Sequence, residues 1–126
     1  MAEQIILNTD LYDNLLTERK GDYTAKPRIT GTLYNTDIAA RIVAARTEYQ
    51  HGTILNILDM ADSHKVQAIA EGKSVVDGVG QYLVNVQGAF EGEKAQFEPG
   101  KHALGITYTM GKLLRETLKL VKVVVT

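Results

Sequence analysis

A group of basic residues near the end of the chain has the types and the spacing that could bind phosphate groups. They are Lys112, Arg115, Lys119 and Lys122. At 100° per residue they fall within about 80° of one another on a helix, and leucine and valine side chains cover the opposite side. A row of cations at this spacing can meet successive phosphates of a nucleic acid. An ordinary amphipathic surface helix with a basic polar face explains the same pattern.

The sequence gives little basis for catalysis or for a metal or cofactor site. The histidines, His51, His64 and His102, lie in unrelated contexts, and none forms a metal-binding pair at i, i+4 spacing. Asp59 and Asp62 are three residues apart, but a solvated helix face explains them better than a metal site. The glycines of 78–80 do not open a helix and therefore indicate a tight turn rather than a dinucleotide fingerprint. We expect a protein that is not an enzyme and holds no metal or cofactor.

Composition and charge narrow the class further. The 126 residues include 44% apolar and 23% charged side chains and no cysteine, as in a single globular domain without disulfides. No apolar run reaches a membrane span, no secretory signal is visible, and no small-molecule substrate is evident. The net charge is −1, yet residues 94–126 hold six lysines and arginines against two acids, whereas residues 1–93 hold eight against thirteen. A positive field is thus confined to one end of the chain.

The apolar periodicity predicts two helices after a mixed-polarity beginning. Residues 1–35 are interpreted as an irregular lead-in with possible edge strands. A helix should begin at Thr36, which can cap it. Thr47 and Gln50 fit a capping box for a second, long helix that should end at Gly72. A long helix in a small domain often packs against a partner chain.

Alternating apolar residues predict strands in the second half of the chain. We expect strands over 73–77, 81–87 and 102–108, with a turn at Gly78-Val79-Gly80 and a charged connection over 88–101. A last helix should run from Met110 to about Lys122. The final residues, VKVVVT, are typical of an edge strand or of the first strand of a further domain. The predicted organisation is a lead-in over 1–35, a domain over 36–122 and a tail over 123–126.

The order of these elements and several short motifs resemble the HU and integration host factor family of bacterial DNA-bending proteins. The matching segments are Gly72-Lys73-Ser74-Val75, the hairpin residues 79–84 and the last-helix residues 110–118. The similarity is greatest to the HU-like domain of Bacteroidetes proteins, through the lead-in motif Leu11-Tyr12-x-Asn14-x-Leu16-Thr17 and through Phe97-x-Pro99-x-x-His102. The resemblance covers roughly residues 9–120.

The resemblance implies an α+β fold and a function in DNA binding. The expected fold has two N-terminal helices, a three-stranded antiparallel sheet with a β-arm, and a C-terminal helix, in an intertwined homodimer. The expected function is architectural, largely sequence-independent binding of double-stranded DNA by a nucleoid-associated cytoplasmic protein. The implied contact residues are Lys94, Lys101, His102, Lys112, Arg115 and Lys119. Among them Lys112 matches the lysine of the family's Pro-Gly-Lys helix start.

The arm departs from the family pattern. Family arms are rich in arginine and carry Asn-Pro at the tip, whereas GAFEGEKAQFEPGKH has no arginine, three glutamates and a proline on its returning side. A carboxylate near a phosphate repels it, and the minor groove is itself negative. An alternative function is therefore an HU-fold dimerisation or protein-interaction module with weak or no DNA binding.

Overall fold

The computed structural model describes residues 4–13 and 21–126 and has an α+β architecture, as predicted. Its elements in chain order are β1 (Ile5–Asp13), β2 (Tyr23–Pro27), α1 (Asn35–Ala45), α2 (His51–Ala70), β3 (Val75–Val76), β4 (Gly80–Gln87), β5 (Ala103–Met110), α3 (Lys112–Leu118) and β6 (Val121–Val125). The chain divides into two compact units, Leu33–Leu114 and a second unit made from the described part of residues 1–32 together with Arg115–Thr126. The domain predicted over 36–122 spans parts of both units, and its limits stay a prediction.

The lead-in is more regular than the sequence suggested, because it contributes two strands to a three-stranded sheet of order β2-β1-β6. β1 pairs antiparallel with β2 and parallel with β6, with Thr9 opposite both Pro27 and Val125. Thr9 is buried, and its hydroxyl donates a hydrogen bond to the carbonyl of Val124 at 3.1 Å. The motif residues Asn14, Leu16 and Thr17 lie outside the described residues.

The two helices begin at different signals from those predicted. α1 begins at Asn35, where the backbone N–H of Tyr34 donates to the carboxylate of Asp37 at 2.8 Å. α2 begins at His51 rather than near Thr47, and its N-cap residue Gln50 makes no capping hydrogen bond through its side chain. The capping-box pattern of Thr47 and Gln50 therefore does not mark a helix start at Thr47, because Thr47 lies in the turn that separates the two helices. The predicted stop is correct: Gly72 has a φ of 94°, the left-handed conformation that ends many helices.

The second sheet is antiparallel with the order β3-β4-β5, and it contains the predicted turn and both long strands. Gly80 is buried at the start of β4, opposite Met110 of β5. A Cβ at this position would overlap the ring of Tyr108, whose hydroxyl donates to the carbonyl of Val79 at 2.7 Å. Glycine is required here because the tyrosine ring lies directly across the backbone.

The last predicted helix is shorter than expected. α3 ends at Leu118, and Lys122 lies on β6, the edge strand that follows. The four-residue basic row predicted on one helix is therefore wrong, since only Lys112 and Arg115 belong to α3. The five residues of β6, four of them valines, pair with β1 instead of extending the helix.

Few apolar side chains are fully buried within one chain. Among the described residues, Ala39 is the buried hydrophobic residue, and many large ones are exposed. In the unit Leu33–Leu114, an apolar cavity of about 430 Å³ opens between the end of α2 and the strands β4 and β5. Its lining includes Val66, Leu104 and Ile106, whose exposed fractions are 66%, 65% and 54%. The side chains of this face are apolar, like those of a protein core, but they are as exposed as surface residues.

Candidate nucleic-acid interface

The connection between β4 and β5, residues 88–102, occupies the position of the predicted arm, and we call it the arm loop. It leaves β4 at Gly88, which has a φ of 105° and lies against the backbone of Lys101 and His102. Within it, the N–H groups of Lys101 and His102 both donate to the carbonyl of Glu98, at 2.9 and 2.8 Å. The arm loop is thus folded back on itself by internal hydrogen bonds.

The two lysines of the arm loop are both exposed. Lys94 lies in a turn near the middle of the loop. The ammonium of Lys101 is 3.4 Å from the carboxylate of Glu98, with 73% and 58% of the two side chains exposed. Such an exposed ion pair is weak, so Lys101 can exchange Glu98 for another anion at little cost.

His102, a predicted contact residue, is only 6% exposed and forms the centre of the arm loop. Its Nδ1 accepts a hydrogen bond from the backbone N–H of Glu98 at 2.9 Å, and its Nε2 lies 2.8 Å from the carbonyl of Ala89. Because a carbonyl can only accept, Nε2 carries the proton and the ring is the neutral tautomer. Both ring nitrogens are therefore used within the loop.

Sequence reasoning missed the two phenylalanines of the chain as parts of the site, although both lie in the arm loop. Phe90 stacks on the ring of His102 with 3.8 Å between centroids and 4° between planes. Phe97 lies on the same ring at 5.8 Å. Phe90, Phe97 and His102 thus form one cluster of aromatic rings. The available signal was that both phenylalanines and a histidine fall within one turn-rich stretch.

Carboxylates give the arm loop an acidic rim. Glu91, Glu93 and Glu98 are all exposed, and two of them, Glu91 and Glu98, line a cavity of about 280 Å³ next to His102. The three glutamates outnumber the two lysines of the loop. The arm loop alone is therefore a poor binder of phosphate.

Lys112, the first residue of α3, is held by close backbone packing. Gly111 lies against the turn at 78–80 so closely that a Cβ would meet three backbone atoms at 2.7 Å. The N–H of Gly111 donates to the carbonyl of Val79 at 2.9 Å, and that of Leu114 donates to Gly78 at 3.2 Å. The exposed Lys112 side chain thus extends from a backbone fixed on both sides.

The remaining predicted cations lie beyond the boundary between the two units, which falls within α3 between Leu114 and Arg115. Arg115 lies in the second half of α3, and Lys119 lies in the turn that follows; both are exposed. Lys112 and Arg115 are three residues apart in the sequence of α3. Lys119 does not share that helix.

The described residues contain no group of three or more histidine or acidic side chains arranged to hold a metal ion. In the same part of the chain, the helices are all too short or too polar to cross a bilayer.

Comparison with solved structures shows an HU-like fold. A candidate bacterial DNA-binding protein from Bacteroides vulgatus superposes with a TM-score of 0.82 at 21% identity, over 96% of this chain and 48% of that one. The chain thus spans about half of the length of that protein. HU of Anabaena, in a cocrystal structure with DNA, superposes with a TM-score of 0.53 at 17% identity, over 68% of this chain and 97% of that one. A comparison with curated protein sequences found no match.

A family comparison agrees with the fold and covers nearly the whole chain. Residues 6–126 match the HU-DNA_bdg family, which is described as a DNA-binding domain. The match includes β1, β2 and β6, so the sheet that the sequence did not predict belongs to the same family pattern. The chain is therefore a member of the HU DNA-binding domain family.

Proposed function

We propose that this chain is a non-enzymatic, nucleoid-associated protein that binds double-stranded DNA as a homodimer, with an architectural role and little dependence on sequence. The observation that carries the proposal is the match of residues 6–126 to a family of DNA-binding domains. The HU-like fold and the excess of cations in residues 94–126 agree with it.

A homodimer is supported by the exposed apolar face of α2 and the second sheet. Val66, Leu104 and Ile106 surround a cavity of about 430 Å³ and are each more than half exposed. Burial of one such side chain stabilises a protein by about 1.5 to 3 kcal/mol. A second copy that covers this face would supply the hydrophobic core that a single chain of this length has not built for itself.

We assign the phosphate contacts to exposed cations and not to the histidine. The proposed contact residues are Lys94, Lys101, Lys112, Arg115 and Lys119. Lys112 heads this group because the packing of Gly111 fixes the backbone from which it extends. His102 is left out because it is buried and both of its ring nitrogens have partners in the arm loop.

Contacts of this kind bind DNA mainly by releasing condensed counterions. For each phosphate that a lysine or arginine neutralises, the logarithm of the association constant falls by about 0.9 when the salt concentration rises tenfold. Ammonium and guanidinium groups that touch only phosphates carry no direct information about base sequence. Preference for particular sites would then come from how easily a DNA segment bends.

The test is a salt titration of fluorescence anisotropy with a generic duplex, run beside light scattering. The chain should be a dimer, and its affinity should fall steeply with salt. The triple variant Lys112→Glu, Arg115→Glu and Lys119→Glu should abolish binding. A charge-matched control, Lys26→Glu, Arg41→Glu and Arg46→Glu, changes net charge equally at exposed cations elsewhere and should bind more tightly than the first triple.

A dimerisation or protein-interaction module is the second candidate, favoured by the acidic rim of the arm loop and by the pairing of Lys101 with Glu98. It predicts a dimer that does not bind duplex DNA even at low salt. Equal affinities of the two triple variants would refute the assigned contact surface, and a dimer without duplex binding would replace the first function by the second.

A further inference from the structure

The turn at 78–80 supports the start of α3. Gly111, the residue before α3, has no side chain that could cap the helix. Its N–H instead donates to the carbonyl of Val79 at 2.9 Å, and the N–H of Leu114, in the first turn of α3, donates to the carbonyl of Gly78 at 3.2 Å. A Cβ added to Gly111 would lie 2.7 Å from backbone atoms of all three turn residues. The place at which α3 begins therefore depends on the shape of this turn.

Asp77 fixes the shape of the turn. Its Oδ1 accepts the N–H groups of Val79 and Gly80, both at 2.9 Å, and its own N–H donates to the carbonyl of Gly80 at 2.9 Å. Its Oδ2 accepts a hydrogen bond from the ammonium of Lys65 on α2 at 3.0 Å. The oxygen of an aspartate or asparagine side chain can accept a backbone N–H two residues further along the chain, and serine does the same more weakly. Asp77 thus joins the turn that supports α3 to α2.

We propose that Asp77 is a positioning residue for DNA binding, because the turn that it holds sets where the side chain of Lys112 meets a phosphate. This inference rests on the proposed function and on the phosphate contact assigned there to Lys112. Lys112 follows directly on Gly111, whose backbone is packed on the turn. A lysine ammonium ends a flexible side chain, so a fixed backbone lowers the entropy lost when it binds. A carboxylate repels phosphate, so Asp77 acts through Lys112 and not by touching DNA.

The sign of the change in affinity distinguishes positioning from charge. If only charge mattered, removing the carboxylate of Asp77 would strengthen binding, because repulsion of phosphates would be relieved. Asp77→Ala should instead weaken binding to a generic duplex about threefold to fivefold at low salt, which is part of the contribution of one phosphate contact. Asp77→Asn keeps an acceptor for the turn and should recover the affinity, and Asp77→Ser should lie between. Glu116→Ala, which removes an exposed carboxylate of α3, is the control and should not weaken binding.

A double-mutant cycle tests whether Asp77 acts through Lys112. Lys112→Gln should reduce the slope of log affinity against log salt by about 0.9, as expected for the loss of one phosphate contact. Asp77→Ala should cause no further loss of affinity in that background, because the contact that it positions is already gone. Lys119 lies beyond α3, and Asp77→Ala combined with Lys119→Gln should weaken binding by the same factor as in the parent. A general loss of stability would weaken both combinations alike.

Two results would overturn this inference while salt-dependent binding by the parent chain leaves the proposed function standing. One is an Asp77→Ala chain that binds as tightly as the parent, and the other is an equal effect of Asp77→Ala with and without the Lys112 side chain. A parent chain that binds no duplex at low salt would overturn both proposals. Circular dichroism at the temperature of the titration shows whether each variant is folded. If Asp77→Ala does not fold, Asp77→Ser takes its place in the cycle.

Discussion

A single carboxylate, Asp77, organises the turn on which the second sheet depends. The sequence pattern predicted Asp77 as the last residue of a strand. In the structure its Oδ1 accepts hydrogen bonds from the N–H groups of Val79 and Gly80, both at 2.9 Å. Its Oδ2 accepts a hydrogen bond from the ammonium of Lys65 on α2 at 3.0 Å. The Gly80 hydrogen bond first, and then Lys65, hold the pKa of Asp77 below its usual value of 3.8. The ionised form is therefore stabilised by folding.

We expect Asp77→Ala to lower the free energy of unfolding by about 1 to 2 kcal/mol at pH 7, because two backbone donors and one ammonium lose their acceptor. A lowered pKa in the folded state means that this stabilisation is fully present above the usual value and is lost as pH falls through the folded value. The difference from the parent should therefore shrink below about pH 4. Urea unfolding at one protein concentration, at pH 7 and pH 3, measures it.

Glu116→Ala on α3, which removes an exposed carboxylate, is the control and should change stability little at either pH. A loss for Asp77→Ala that is the same at pH 7 and pH 3 would argue that packing, and not the ionised carboxylate, is what the turn requires.

At the scale of elements, the first residue of α1 is attached to the middle of α2. The side-chain amide of Asn35 donates to Asp59 at 2.9 Å and to Asp62 at 2.7 Å. Both carboxylates are exposed, as expected for a solvated helix face, and they also accept hydrogen bonds from the neighbouring helix. Their i, i+3 spacing, which suggested a pair, is what lets one amide reach both.

Asn35→Asp should destabilise the chain at pH 7 by about 1 to 2 kcal/mol, because a third carboxylate replaces the donor between two others. The loss should diminish as the salt concentration is raised, because salt screens repulsion between exposed charges. Thermal unfolding at low and at high salt tests this. Asn35→Ala removes the hydrogen bonds without adding charge, and its effect should vary less with salt. A salt-independent loss in Asn35→Asp would mean that the three groups do not interact.

At the scale of the whole molecule, the apolar face of α2 and the second sheet is exposed in the described chain, although a core would bury such side chains. Placing a charge on that face should break the proposed homodimer, because an unpaired carboxylate would be buried in an apolar contact. We expect Val66→Glu to change the mass measured by light scattering from twice 13.9 kDa to 13.9 kDa. Ile29→Glu alters a residue that is 78% exposed in the segment before α1 and should leave the dimer intact. A Val66→Glu protein that still has the dimer mass would place the interface elsewhere.

Much of the unit Leu33–Leu114 could be read from local patterns. Alternation along Tyr82, Val84 and Val86 predicted β4, and the glycine at 72 predicted the end of α2, because both signals depend on backbone geometry that the residue types impose directly. The order of elements, with the short motifs at 72–75, 79–84 and 110–118, was enough to suggest the family. That inference needed no contact between distant residues.

The sequence by itself determined the element types within the unit Leu33–Leu114, the position of the arm and the location of the excess positive charge, since these are local in the chain. Only the tertiary structure decided that β6 lies beside β1, that α3 stops at Leu118, and that His102 is the buried centre of the arm loop. The physical reason is sequence separation. Val121 and Ile5 pair across more than a hundred residues, and the burial of His102 depends on Phe90, Phe97 and Ala89 folding around it, which residue types and spacing do not encode.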